Sequence, residues 1–211
     1  MKAKHLLSLR ELNREDIEEL FRRADQFRAK PRAHAALLAG RTLALLFERP
    51  STRTRTALEA GMAQLGGHAV FLRREDTQLG RGEPIPDTAR TLSQIVDGIA
   101  ARVNAHQDLL ELARHSSVPV VNALSDTLHP VQALTDLYTL RLHHGRAEGL
   151  EIAWVGDGSN VCHELMFGAA KLGIALRVAS PAGYEPKAPI VRLAARDAQA
   201  AHSPVPHIGH D

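Results

Sequence analysis

The feature that most restricts the fold of this chain is a repeated alternation of short apolar runs with stretches of helical periodicity. Thr42–Phe47 is a short, continuous apolar run that reads as a buried strand, and residues 69–72, 99–103 and 118–121 read as three more strands. Helical patterns separate them. Residues 12–28 place Ile17, Leu20, Phe21, Ala24 and Phe27 on one face, with Asn13 and Asp16 as start signals. Ala57, Leu58, Gly61, Met62 and Leu65 share the face of a second helix, and residues 87–97, 107–114 and 130–142 complete the series. Continuous apolar strands spaced by helices predict an α/β fold with a parallel sheet covered on both faces.

A polar stretch over 141–149, with glycines at 145 and 149, reads as a helix end followed by a linker. The expected domains are therefore 1–145 and 150–211. The second repeats the alternation: a strand over 151–155, a helix over 160–172 stopped by Gly173, a strand over 174–179, a helix over 187–200 and a last strand over 205–208. Three strands and two helices bury a small core, and a parallel sheet ending on a strand leaves an edge. The expectation is two doubly wound parallel-sheet domains, the second incomplete because the chain is cut short.

Composition removes most other classes. The chain has 211 residues, 44% apolar and 24% charged, in the range of ordinary globular proteins. No apolar run approaches the ~20 residues that cross a bilayer, and no signal-peptide apolar region follows the N-terminus. A single cysteine, Cys162, excludes an internal disulfide framework and fits a reducing cytoplasm. A net charge of +2, with arginines spread along the chain, argues against nucleic acid as a partner. Twelve histidines raise the question of metal, but no ligand-spaced motif occurs, so no metal site is expected.

Four strand ends carry chemistry. Phe47-Glu48-Arg49-Pro50-Ser51-Thr52-Arg53-Thr54-Arg55 joins a buried strand to a helix. Helix N–H groups, hydroxyls and guanidiniums there make an anion site of phosphate character, against the plainer reading of an N-cap with solvated arginines. Arg102 ends the strand after Ile99, as an anion ligand or a solvated strand end. His129-Pro130-Val131-Gln132 follows the strand at 118–121, with Pro130 suited to a first helical turn and His129 and Gln132 about one turn apart; alone, the pair reads better as a cap and a surface glutamine. Ligands of open parallel sheets bind outside the carboxyl ends of strands, so the convergence of such groups favours a site. Gly156-Asp157-Gly158-Ser159-Asn160 lacks the third glycine of a dinucleotide fingerprint, having Val161 at that position. It is better read as a strand-to-helix turn presenting Asn160.

Ser51-Thr52-Arg53-Thr54-Arg55, Glu59, Gly66-Gly67 and His129-Pro130-Val131-Gln132 together resemble the carbamoyl phosphate loop and H-P-x-Q motif of the aspartate/ornithine carbamoyltransferases. Gln78-Leu79-Gly80-Arg81-Gly82-Glu83, Asp87-Thr88-Ala89-Arg90 and the turn at 156–160 resemble the ornithine branch. The resemblance implies that Ser51, Thr52, Arg53 and Thr54 hold the phosphate of carbamoyl phosphate. It implies that Arg102, His129 and Thr54 bind the carbamoyl oxygen as the catalytic groups, and Gln132 the carbamoyl nitrogen. Gln78 would reach a neighbouring subunit of a homotrimer, and Asn160 would bind L-ornithine. The implied reaction gives L-citrulline and phosphate in arginine metabolism without a cofactor.

The family's D-x-x-x-S-M-G and H-C-L-P motifs do not occur in this chain, Ser159 replaces a usual asparagine, and Glu164 replaces a common serine. The resemblance thus implies a carbamoyltransferase whose present chain is inactive or weakly active. The alternatives are a catalytically dead anion-binding module and a transferase for another amine such as putrescine.

Attack of an amine on the carbamoyl carbon builds an oxyanion, for which each placed donor is worth roughly 3 kcal/mol. No side chain stands out as a base, which leaves the phosphate as proton acceptor.

Overall fold

The structure, a computed structural model, describes residues 3–210. They form two compact units. One joins the segment up to Leu7 to Glu19–Asp126; the other joins Ser8–Glu18 to the chain from Thr127 onward. Helix α1, Arg14–Ala29, thus contributes its first turn to one unit and the rest to the other.

The first unit is a parallel sheet of β1 (Thr42–Phe47), β2 (His68–Arg73), β3 (Gly98–Arg102) and β4 (Val120–Leu124), in the order β2-β1-β3-β4. Strand β1 shows why its run is apolar throughout. Ala44 and Leu46 pack on one face with Ala89 of α3 (Ile85–Ser93) and Leu109 and Leu112 of α4 (His106–His115). Leu45 and Phe47 pack on the other with Leu58 of α2 (Thr52–Gln64). Alternate side chains of one strand fill opposite cores, the signature of a sheet covered on both faces.

Several ends shift by a residue or two, α1 beginning at Arg14 rather than 12 and the last strand at His207 rather than 205; two larger departures have a visible cause. Helix α3 stops at Ser93, short of 97. The reason is Asp97, whose carboxylate accepts the Thr42 N–H (2.8 Å) and whose own N–H donates to the Thr42 carbonyl (2.9 Å), fixing it at the head of β1. Strand β4 begins at Val120 rather than 118. Pro119 has no N–H, and the Ser116 hydroxyl occupies both backbone groups of Val118. On the far side of β4, Leu6 pairs in parallel with Val121, a bridge with no sequence signal of its own.

The second unit holds α5 (Pro130–His144), β5 (Glu151–Val155), α6 (Asn160–Leu172), β6 (Ala175–Ala179), α7 (Ala188–Ala200) and β7 (His207–Gly209). The strands are parallel in the order β5-β6-β7. Helix α6 is buried from Cys162 to Ala170 and packs against both α5 and α7. Leu176 and Val178 are buried, whereas Arg177 and Glu151 are exposed and form an ion pair. Among the described residues no helix is long and apolar enough to cross a membrane.

Candidate active site

In the first unit, β1 and β3 are neighbours in a register that sets Phe47 opposite Arg102. The Glu48 N–H continues the ladder to the Arg102 carbonyl at 2.8 Å. That register carries the loop after β1 to the end of β3. The pairing of β3 with β4 slips between Ala101 and Arg102, an irregularity of the kind that re-aims a side chain.

Ser51 stands at the N-cap of α2, yet its hydroxyl makes no capping bond. Its oxygen and the first N–H groups of the helix are thereby left for a ligand. Arg102 is half-buried, and its Nε is buried with no hydrogen-bond partner among the described residues. Burial, and after it the positive charges of Arg49 and Arg53, hold the Arg102 pKa below the usual guanidinium value. Three guanidiniums thus gather at two adjacent strand ends beside a helix N-terminus. Like charges so grouped favour the binding of an anion of more than one charge.

The arginines of the loop separate into two groups. Arg55 is occupied elsewhere, bonded to Glu59 at 3.0 Å and stacked 3.6 Å above the Phe71 ring centre. Arg49 and Arg53 are the two whose charges act on Arg102. Arg49 also donates to Asn104 Oδ1 (2.5 Å), and Glu48 accepts from Arg74 and from the Asn104 N–H, so the loop is tied to the chain after β3. A cleft of about 620 Å³ includes Arg49, Ser51 and Thr52, but Glu48, Glu59 and Glu75 also line it, and Arg53 and Arg102 do not. Its mixed charge matches an anion less well than the three-arginine group. Gln78 opens the short 3₁₀ turn Gln78–Arg81 and is exposed.

In the second unit, His129 is the N-cap of α5 and is buried, with Pro130 in the first turn. Gln132, one turn on, is exposed and donates its Nε2–H to Asp136 Oδ1 at 2.9 Å. The amide is thereby oriented, with its carbonyl oxygen left as an acceptor. Asp136 was not singled out from sequence; its signal is the helical i, i+4 spacing from Gln132.

Asn160 is the first residue of α6 and is half-buried. The turn before it is closed to a nucleotide: a Cβ on Gly158 would lie 2.1 Å from the Pro186 nitrogen, so the 181–186 loop fills the space a phosphate would need. Among the described residues no group of three or more His, Cys, Asp or Glu side chains is arranged to hold a metal.

Comparison with known proteins identifies the family. The model of the aspartate/ornithine carbamoyltransferase carbamoyl-P binding domain matches residues 4–142, and that of the Asp/Orn binding domain matches residues 148–210. The ornithine carbamoyltransferase of Carboxydothermus hydrogenoformans is 47% identical over 93% of this chain and 64% of that protein. That of Cenarchaeum symbiosum is 50% identical over 88% of this chain and 62% of that protein. The chain therefore spans less than two thirds of the length of these relatives. The solved ornithine carbamoyltransferase of Pyrococcus furiosus superposes with a TM-score of 0.94 at 43% identity, over 99% of this chain and 67% of that one. With an arginine-lined helix N-terminus at the strand ends, an H-P-V-Q turn opening α5 and both domain models matched in order, the chain belongs to the aspartate/ornithine carbamoyltransferase family.

Proposed function

We propose that the whole protein is an ornithine carbamoyltransferase, converting carbamoyl phosphate and L-ornithine to L-citrulline and phosphate. The observation that carries the reading is the group of Arg49, Arg53 and Arg102 beside the uncapped start of α2. That array suits a phosphate dianion. Ser51, Thr52, Arg53 and Thr54 hold the phosphate, and Arg102, Thr54 and His129 polarise the carbamoyl oxygen. Gln132 accepts from the carbamoyl nitrogen through its carbonyl oxygen, and Asn160 holds the amino-acid end of ornithine.

The side-chain amine of ornithine attacks the carbamoyl carbon, and the bond from that carbon to the phosphate oxygen breaks. The departing phosphate takes the amine proton. Catalysis rests on positioning and on donors to the developing oxyanion, with no cofactor. Gln78, on an exposed turn, suits a role at a neighbouring subunit's site in a homotrimer. We place the carbamoyl phosphate-binding residues in a domain over 1–145 and the ornithine-binding ones in a domain from 150, in a cytoplasmic enzyme of arginine metabolism.

Calorimetric titration tests the reading. Carbamoyl phosphate binds, and Arg53→Ala or Arg102→Ala weakens it by a factor of about ten to a hundred, as expected for loss of a charged hydrogen bond. Unchanged binding in both variants refutes the phosphate assignment. An assay of the carbamoylated product, citrulline from ornithine or carbamoylputrescine from putrescine, on the full-length protein separates the amine acceptors, and binding without turnover identifies an anion-binding module.

A further inference from the structure

His163 lies on α6, three residues after Asn160, and is 1% exposed. Both ring nitrogens are engaged within its own unit. Nδ1 is 2.8 Å from the carbonyl oxygen of Thr127, and Nε2 accepts the backbone N–H of Lys187 at 3.0 Å. The partners fix the tautomer. A carbonyl only accepts, so Nδ1 carries the proton; a backbone amide only donates, so Nε2 carries the lone pair. Lys187, at the N-cap of α7, closes the ring by donating from Nζ to the Thr127 hydroxyl at 3.1 Å.

One imidazole therefore ties three places together: the start of α6, the start of α7 and the chain two residues ahead of His129. Leu128, His129 and Pro130 are all buried, and His129 has an irregular backbone conformation, φ −144° and ψ 70°. The unusual turn is held from its N-terminal side by the Thr127 carbonyl. From its C-terminal side it is held by the bond from the Ala133 N–H to the His129 carbonyl.

We propose that His163 is a positioning residue for His129: as a neutral Nδ1–H imidazole it anchors Thr127, and through it the turn that presents His129 to the carbamoyl group. The proposal rests on the carbamoyl phosphate reading of His129. The surroundings suit a permanently neutral ring. Burial pushes the His163 pKa below the ordinary histidine value, the Thr127 carbonyl opposes this, and the charged groups facing the ring are the Lys187 ammonium and the Asp157 carboxylate. A second ring proton would set N–H against the Lys187 N–H.

Three variants of the full chain test the proposal: His163→Asn keeps a donor near the Nδ1 position, His163→Gln keeps an acceptor near the Nε2 position, and His163→Leu keeps neither. Each is titrated with inorganic phosphate, which reports the arginine group alone, and with carbamoyl phosphate. The leucine variant weakens carbamoyl phosphate binding about tenfold and leaves phosphate binding unchanged. The asparagine variant recovers most of the loss and the glutamine variant does not. Equal losses for both ligands, or no loss, overturn the proposal. If the leucine variant does not fold, the asparagine and glutamine pair decides, since equal behaviour of the two also overturns it.

Nitrogen NMR of the histidine rings supplies a readout without ligand. His163 shows the Nδ1–H tautomer, and the His129 ring signals move in the glutamine variant and stay in place in the asparagine variant. If the unaltered protein binds phosphate yet gains nothing from the carbamoyl group, the reading of His129 fails, while the ring signals still judge the anchor.

Discussion

Glu164 is a carboxyl group in a place that suits few carboxylates. It is fully buried on α6, accepts the Leu9 backbone N–H at 2.9 Å, and is also bonded to the Ser8 side chain. Burial pushes its pKa from 4.5 to about 8, against the two hydrogen bonds. In the unfolded chain it ionises near 4.5, so between 4.5 and 8 the folded protein holds a proton that the unfolded one has lost. Its contribution to stability is complete below 4.5 and is lost as the pH rises through 8, at up to about 1.4 kcal/mol per pH unit. Glu164→Gln keeps an acceptor for Leu9 and cannot ionise, so denaturant midpoints of this variant show a flatter pH dependence across that range. An unchanged slope would assign the dependence to other groups. At this scale legibility follows contiguity. The passage from β1 through Ser51 into α2 was readable because strand end, hydroxyls and helix start adjoin in sequence. That Arg49 rather than Arg55 joins Arg53 and Arg102 depends on the β1–β3 register and on the Phe71 ring that captures Arg55. The two bonds of His163 are each more than twenty residues apart in sequence and left no local pattern.

Among elements, the turn between β5 and α6 is the most tightly specified. Gly158 donates its N–H to the Tyr184 carbonyl at 2.7 Å, and the Trp154 indole N–H donates to the Asp157 carbonyl at 2.9 Å. A Cβ at position 158 meets only backbone, Glu185 and Pro186, which cannot rotate away. Gly158→Ala is expected to destabilise by about 3 kcal/mol, read as a lowered melting temperature. Gly82→Ala, where a Cβ meets nothing within 4 Å, carries only the penalty of its left-handed φ of 92° and is the milder control. Equal losses would show that close approach at 158 is not what demands glycine. The elements themselves were largely readable: Thr42–Phe47 and Glu151–Val155 lie where the apolar runs place them, and α6 runs Asn160–Leu172 as its periodicity and Gly173 require. The ends that moved did so for long-range or side-chain reasons: Asp97 binds Thr42 fifty-five residues away, and Ser116 caps Val118.

Across the whole molecule, sequence order and spatial grouping part company. Alternating strands and helices announced two parallel sheets, and two are present, β2-β1-β3-β4 and β5-β6-β7. Nothing local announced that Ser8–Glu18 joins the second unit while the residues on either side join the first. That eleven-residue excursion brings Leu9 to Glu164, Arg10 to Asp197 at 3.1 Å and Arg14 to Glu148 at 2.7 Å. A gene cut after Asp126 would therefore divide the chain without dividing the structure: the piece from Thr127 onward would keep a buried carboxyl and lose the amide that answers it. Expressed alone, that piece should bind a hydrophobic dye and melt without a sharp transition, and a synthetic peptide of residues 8–18 added in trans should restore cooperativity. A piece that already folds cooperatively would show the excursion to be decoration. If the peptide rescues it, the second unit behaves as a receptor for its own leader, and the order in which a ribosome releases the two parts becomes a question of complementation rather than of linkage.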